Sequence, residues 1–214
     1  MRTNESIART TQIMLRRGLL VEYASLAWMT VEAAGSIYAG ATAGSLALLA
    51  FGSDSIVELL SSLAVVKHLR LEECGKGSEE MTKRIEKATV LLLLLLIPII
   101  TSGTLYAYWT GVQPESSILG IIIAVAAIAI MPILWFEKRR LGRTAKCLPL
   151  IVDSTESATC LSMSVALLVG LAANLIWKAW WVDYAATAVI LIFLTREATE
   201  SAREMRKESQ RGMF

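Results

Sequence analysis

The sequence predicts an all-α membrane protein: six transmembrane helices with both termini in the cytosol. Three observations lead there. Hydrophobic residues make up 55% of the 214 positions and the mean hydropathy is +0.54, above what a soluble domain carries. The apolar residues are bunched in runs of the roughly 20 residues that a helical span requires. Lysines and arginines gather in alternate connections, which the positive-inside rule assigns to the cytosol.

The polar start, MRTNESIARTTQIMLRRG, carries no signal-peptide core, so residues 1–17 form a cytosolic segment. The first span is expected over Gly18–Tyr38 and contains Glu22 and Glu32. The second covers Gly44–Lys67, with Asp54 and Glu58 in its middle. The third, Ile85–Trp109, includes the LLLLLLI run and Pro98; the fourth is Ser117–Trp135. The fifth runs from Cys147 to Ile176, where Pro149 suits a first helical turn. The sixth is Trp180–Thr195. The transmembrane domain thus occupies 18–197, and 198–214 is a short charged tail that continues the last helix into the cytosol with no soluble domain after it.

Arg16 and Arg17 precede span one, Lys67 to Lys87 supply the basic residues between spans two and three, Lys138 to Lys146 those between four and five, and Arg196 to Arg211 follow six. The opposite connections hold only Lys178, while Trp109, Trp177, Trp180 and Trp181 mark the outer interface. The expected location is the cell (plasma or inner) membrane. A net charge of +2 gives no case for nucleic-acid binding. Cys74, Cys147 and Cys160 are odd in number and far apart, so no disulfide framework is expected, and Cys74 and Cys147 face the reducing cytosol. No nucleophile–base pair points to an enzyme.

The chemistry lies inside the membrane. Asp54 and Glu58 are spaced i, i+4 and leave one helix face a turn apart. A carboxylate in hydrocarbon is costly unless it meets a partner, water or an ion. In span five, Asp153, Glu156 and Cys160 follow at i, i+3 and i+7 on one stripe. Glu58 lies nine residues before Lys67 and Glu156 nine after Cys147, each about 13 Å from the cytosolic edge at ~1.5 Å per residue. Asp54 and Cys160 match in depth one turn further out. Asp54, Glu58, Glu156 and Cys160 are therefore candidate ligands at one level, a carboxylate–thiolate set suited to Zn²⁺. Asp153, nearer the cytosol, is a candidate ligand for an arriving ion or favours the positive first turn of its helix. Glu32 is a candidate for proton coupling or for support behind the ligands, with plain hydrogen bonding the alternative. Taken alone, Cys160 reads as a small apolar filler, and neighbouring serines such as Ser61, Ser62 and Ser157 could satisfy a single carboxylate. Glu22 and Glu197 are expected to reach water near the cytosolic edge, Asp183 to cap span six, and His68 to be a solvated loop residue. Gly35, Gly40, Gly44 and Gly52 would let helices approach closely.

These residues resemble the cation diffusion facilitator (cation efflux) family. The stretch EAAGSIYAGATAGSLALLAFGSDSIVELLSS is similar to its first two helices through Glu32, GSLALLA and the D-S-x-x-E step. VDSTESATC resembles the fifth-helix motif and WWVDYAATAVI the start of the sixth helix. The resemblance, over about residues 15–205, implies a six-helix protomer, usually dimeric, exporting divalent transition-metal ions in exchange for protons. Zn²⁺ is the first candidate, with Cd²⁺, Fe²⁺, Mn²⁺ and Co²⁺ as alternatives and no permanent cofactor. Asp54 and Glu58 match the second-helix ligands. Glu156 stands where many zinc-transporting members have His or Asp, and Cys160 where they have Asp. The cytosolic C-terminal domain of most members is not expected, so a homodimer would rest on membrane helices. The expected partners are metal ions, protons and the lipid bilayer. A metal-binding sensor or assembly partner that does not transport is the alternative. An organic-cation exporter would need aromatic rings facing the carboxylates, and spans two and five offer only Phe51, off the Asp54/Glu58 face.

Overall fold

The computed structural model describes residues 2–70, 78–145 and 147–211. These form six helices: α1 (Arg2–Ala43), α2 (Leu46–Arg70), α3 (Ser78–Thr110), α4 (Ile118–Ala145), α5 (Leu148–Trp177) and α6 (Trp181–Arg211). Cys74 and Lys146 lie outside the described residues, as does the side chain of His68, whose backbone is helical rather than a loop. The outer helix ends fall close to expectation. At the side expected to face the cytosol, α4 continues past Trp135 to Ala145 and α6 through the charged tail to Arg211.

Within α2, α3, α4 and α5 the stretches Leu46–Lys67, Lys87–Thr110, Ile118–Ala145 and Leu148–Trp177 are long and apolar enough to cross a bilayer. Among the described residues, α1 and α6 do not reach that mark. Charges explain it: Glu22 and Glu32 interrupt α1, and Arg196 and Glu197 follow the apolar part of α6. The bundle turns its polarity inside out. Apolar side chains such as Ile99, Ile133 and Ile192 are exposed, whereas Glu22, Glu32, Asp54 and Glu58 are buried. That distribution suits a lipid solvent.

α2 is the hub. It packs against α1, α3, α5 and α6, while α1 also lies along α4, α4 along α5, and α3 along α6. In α2 61% of the spanning stretch is buried, against 22% in α3. Close approach of α1 and α2 depends on Gly52: a Cβ there would stand 2.9 Å from the Ser36 Cβ and 3.0 Å from the Ile37 amide nitrogen. Gly44 serves the turn instead, at φ +66°, a left-handed conformation that favours glycine.

The outer ends of α2 and α6 are locked together by Asp183. Its carboxylate accepts hydrogen bonds from the Ser45 hydroxyl and from the Leu46 and Ala47 amides at 3.1 and 3.5 Å. Asp183, expected from its position to cap its own helix, caps α2 instead. It lies within the first turn of α6, where its carboxylate is free to reach the neighbouring helix start. At the other side, Pro149 does open α5. Cys147, expected as a reduced thiol, is buried and disulfide-bonded.

Candidate metal centre

α2 carries the acidic pair into the bundle. Asp54 and Glu58 are each 1% exposed, and none of their four carboxylate oxygens has a hydrogen-bond partner among the described residues. The i, i+4 spacing stacks them on the face that meets α5 and α6. The serines beside them serve other groups. Ser55 donates to Glu32 Oε2 at 3.3 Å, Ser61 to Glu156 Oε1 at 3.2 Å and Ser62 to Asp153 Oδ1 at 2.8 Å.

α5 brings Glu156 and Cys160 to the same region. Glu156 is half-buried; its Oε2 is sealed from solvent and unpartnered. The buried Cys160 thiol points at Glu32 Oε2 on α1, 3.8 Å away. The charges of Glu156 and Glu32 act on Asp54, and those of Asp54, Glu156 and Glu32 on Glu58. The four candidate ligands thus share one neighbourhood, with Glu32 beside Cys160. They do not form a closed coordination shell: among the described residues no three His, Cys, Asp or Glu side chains are disposed to hold an ion. Glu156 and Cys160 are turned toward Ser61 and Glu32 instead.

The cation efflux transmembrane domain matches residues 23–208 of this 214-residue chain. The chain belongs to the cation efflux family. Comparison with curated proteins gives no match. Members of the family are transporters rather than enzymes; this chain is a multi-pass membrane protein, and its membership points to divalent-cation efflux.

Two features of this cation efflux protein escape a reading by span boundaries. The first is a buried ion cluster at the end of the bundle opposite the Asp183 lock. Lys138, counted among the cytosolic charges, is 0% exposed and pairs with Asp153 and, at 3.5 Å, with Glu22. Glu22 is likewise 0% exposed and does not reach water. α1, α4 and α5 are joined by these charges, and α2 joins through Ser62. Asp153 is thereby committed to Lys138 and Ser62. The burial pattern carries the signal: Met131, Leu134, Lys138 and Leu141 form one helical stripe of α4.

The second is Glu197 on α6. It is half-buried rather than solvated, and its Oε2 is sealed and unpartnered among the described residues. Ile190, Leu194 and Ala198 are buried on the same helix, a spacing that turns Glu197 inward with them.

Proposed function

We propose that this protein exports a divalent metal cation from the cytosol, with Zn²⁺ the first candidate, by alternating access coupled to protons moving inward. The observation that carries the reading is the Asp54/Glu58 pair: four buried carboxylate oxygens on the central helix with no hydrogen-bond partner among the described residues. Uncompensated carboxylates in a membrane interior call for an ion or a proton. Glu156 and Cys160 complete the ligand set when α5 shifts against α2, bringing carboxylate oxygen and thiolate to the ion. Asp153 receives an arriving ion only if Lys138 releases it. Because bound metal requires deprotonated ligands, loading the dication expels protons and release takes them back. Glu32, beside Cys160, is placed to carry one of them. Two protomers would pair through their membrane helices.

A metal-binding sensor that does not transport is the second reading. It is favoured by the open arrangement of the ligands, with no three disposed around an ion among the described residues. Uptake and binding separate the two. Zn²⁺ flux into proteoliposomes that requires Asp54 and Glu156 supports export. Binding that needs Asp54 without any flux supports the sensor.

A further inference from the structure

The lock at Asp183 sets α2 and α6 level at their outer ends, because Asp183 accepts amide hydrogens from Leu46 and Ala47. From there both helices descend toward the cytosolic side. Glu58 lies twelve residues beyond Leu46 and Glu197 fourteen beyond Asp183, about 18 and 21 Å at a rise of ~1.5 Å. The two carboxyl groups reach nearly the same depth, with Glu197 slightly nearer the cytosol. Direction agrees with depth. Leu194 and Ala198, on either side of Glu197, are buried in one core with Val57 of α2 and Cys160 of α5. The face of α6 that bears Glu197 therefore turns into the core that α6 shares with α2 and α5. The adjacent cation does not neutralise it, since Arg196 turns outward to Glu200 at 2.8 Å. Glu197 instead presents a sealed oxygen at the depth of a pair that is itself 1% exposed, and neither it nor the pair has a hydrogen-bond partner among the described residues.

We infer that Glu197 is a further ligand of the transported ion, supplied by α6 on the cytosolic side of the Asp54/Glu58 pair. This rests on the reading of Asp54 and Glu58 as ion ligands. With Glu197, the donor set becomes four carboxylates and one thiol. That composition favours a hard oxygen-seeking dication such as Mn²⁺ more than Asp54, Glu58, Glu156 and Cys160 would without it.

The test titrates MnCl₂ and, separately, CdCl₂ into the purified full chain in detergent micelles by calorimetry. Wild type is compared with Glu197→Gln, Glu197→Asp and Asp54→Asn. Glu197→Gln keeps the shape of the side chain and removes its charge. It should weaken Mn²⁺ binding by about tenfold or more, weaken Cd²⁺ binding clearly less, and leave thermal unfolding of the metal-free protein unlowered. Glu197→Asp should restore most of the Mn²⁺ affinity. Affinity for Mn²⁺ within about twofold of wild type in Glu197→Gln overturns the assignment. Equal losses for both ions without rescue by Asp also overturn it, because that pattern marks a structural role. Asp54→Asn separates the two levels of the argument. If it binds like wild type, the ion-site reading itself fails and Glu197 with it; if it loses binding while Glu197→Gln keeps it, only Glu197 falls.

Discussion

At the scale of single residues, Asp54 and Glu58 differ from the other fully buried carboxylates in that neither has a hydrogen-bond or ion-pair partner among the described residues. Asp153 and Glu22 have Lys138, and Glu156 and Glu32 each have a serine. The two groups should respond to mutation in opposite ways. Asp54→Asn removes an uncompensated charge, so metal-dependent flux should fall to background while the melting temperature stays equal or rises. Both are read on one preparation by transport assay and thermal unfolding. Lys138→Met instead strands Glu22 and Asp153, which should destabilise the protein by about 3 kcal/mol. Adding Glu22→Gln and Asp153→Asn should recover most of that loss, as chemical unfolding can show. Cys160→Ser exchanges a soft donor for a hard one and should shift preference away from Cd²⁺ toward Mn²⁺ by about tenfold. Competition between the two ions is the readout, and an unchanged ratio would leave Cys160 as packing. The pair on α2 was legible in the sequence because a charge inside an apolar run is visible without a structure. Lys138, Glu22 and Glu197 were not legible, because position along a span gives depth but not direction. Each lies near or just beyond the end of its expected span, and each turns inward.

At the scale of elements, the apolar runs and the basic connections located all six helices. Proline placed the start of α5 at Pro149, whereas Gly44, expected to allow close helix approach, makes a turn. The contacts between helices were not readable in the same way. Asp183 offered the sequence signature of a cap, yet its carboxylate serves α2, since the amides it meets are 136 and 137 positions away in the chain. Asp183→Ala should release the outer lock at a cost of about 1–2 kcal/mol. Hydrogen exchange at the Leu46 and Ala47 amides should quicken in that variant. If exchange stays at the wild-type rate, the lock is held elsewhere. Gly52→Leu should do more harm, because its side chain would meet the backbone of α1 at Ile37. The expected result is loss of folded protein in size-exclusion profiles.

At the scale of the whole molecule, α2 is the element through which everything else communicates. It touches four other helices and carries the acidic pair. The exposed shell is rich in apolar side chains, and the interior holds carboxylates, serines and Lys138. Such an arrangement suits an ion path through lipid and would be a poor way to stabilise a protein in water. Because ligands must lose protons to bind metal, apparent affinity should fall as pH falls, and an opposing proton gradient should drive accumulation. Zn²⁺ uptake into proteoliposomes with an acidic lumen tests the central claim most directly, with wild type measured beside Asp54→Asn. Zn²⁺ should accumulate in the lumen as protons leave, stop when an ionophore collapses the gradient, and be absent in Asp54→Asn. Uptake that ignores the gradient, or that survives the loss of the Asp54 charge, would contradict the account.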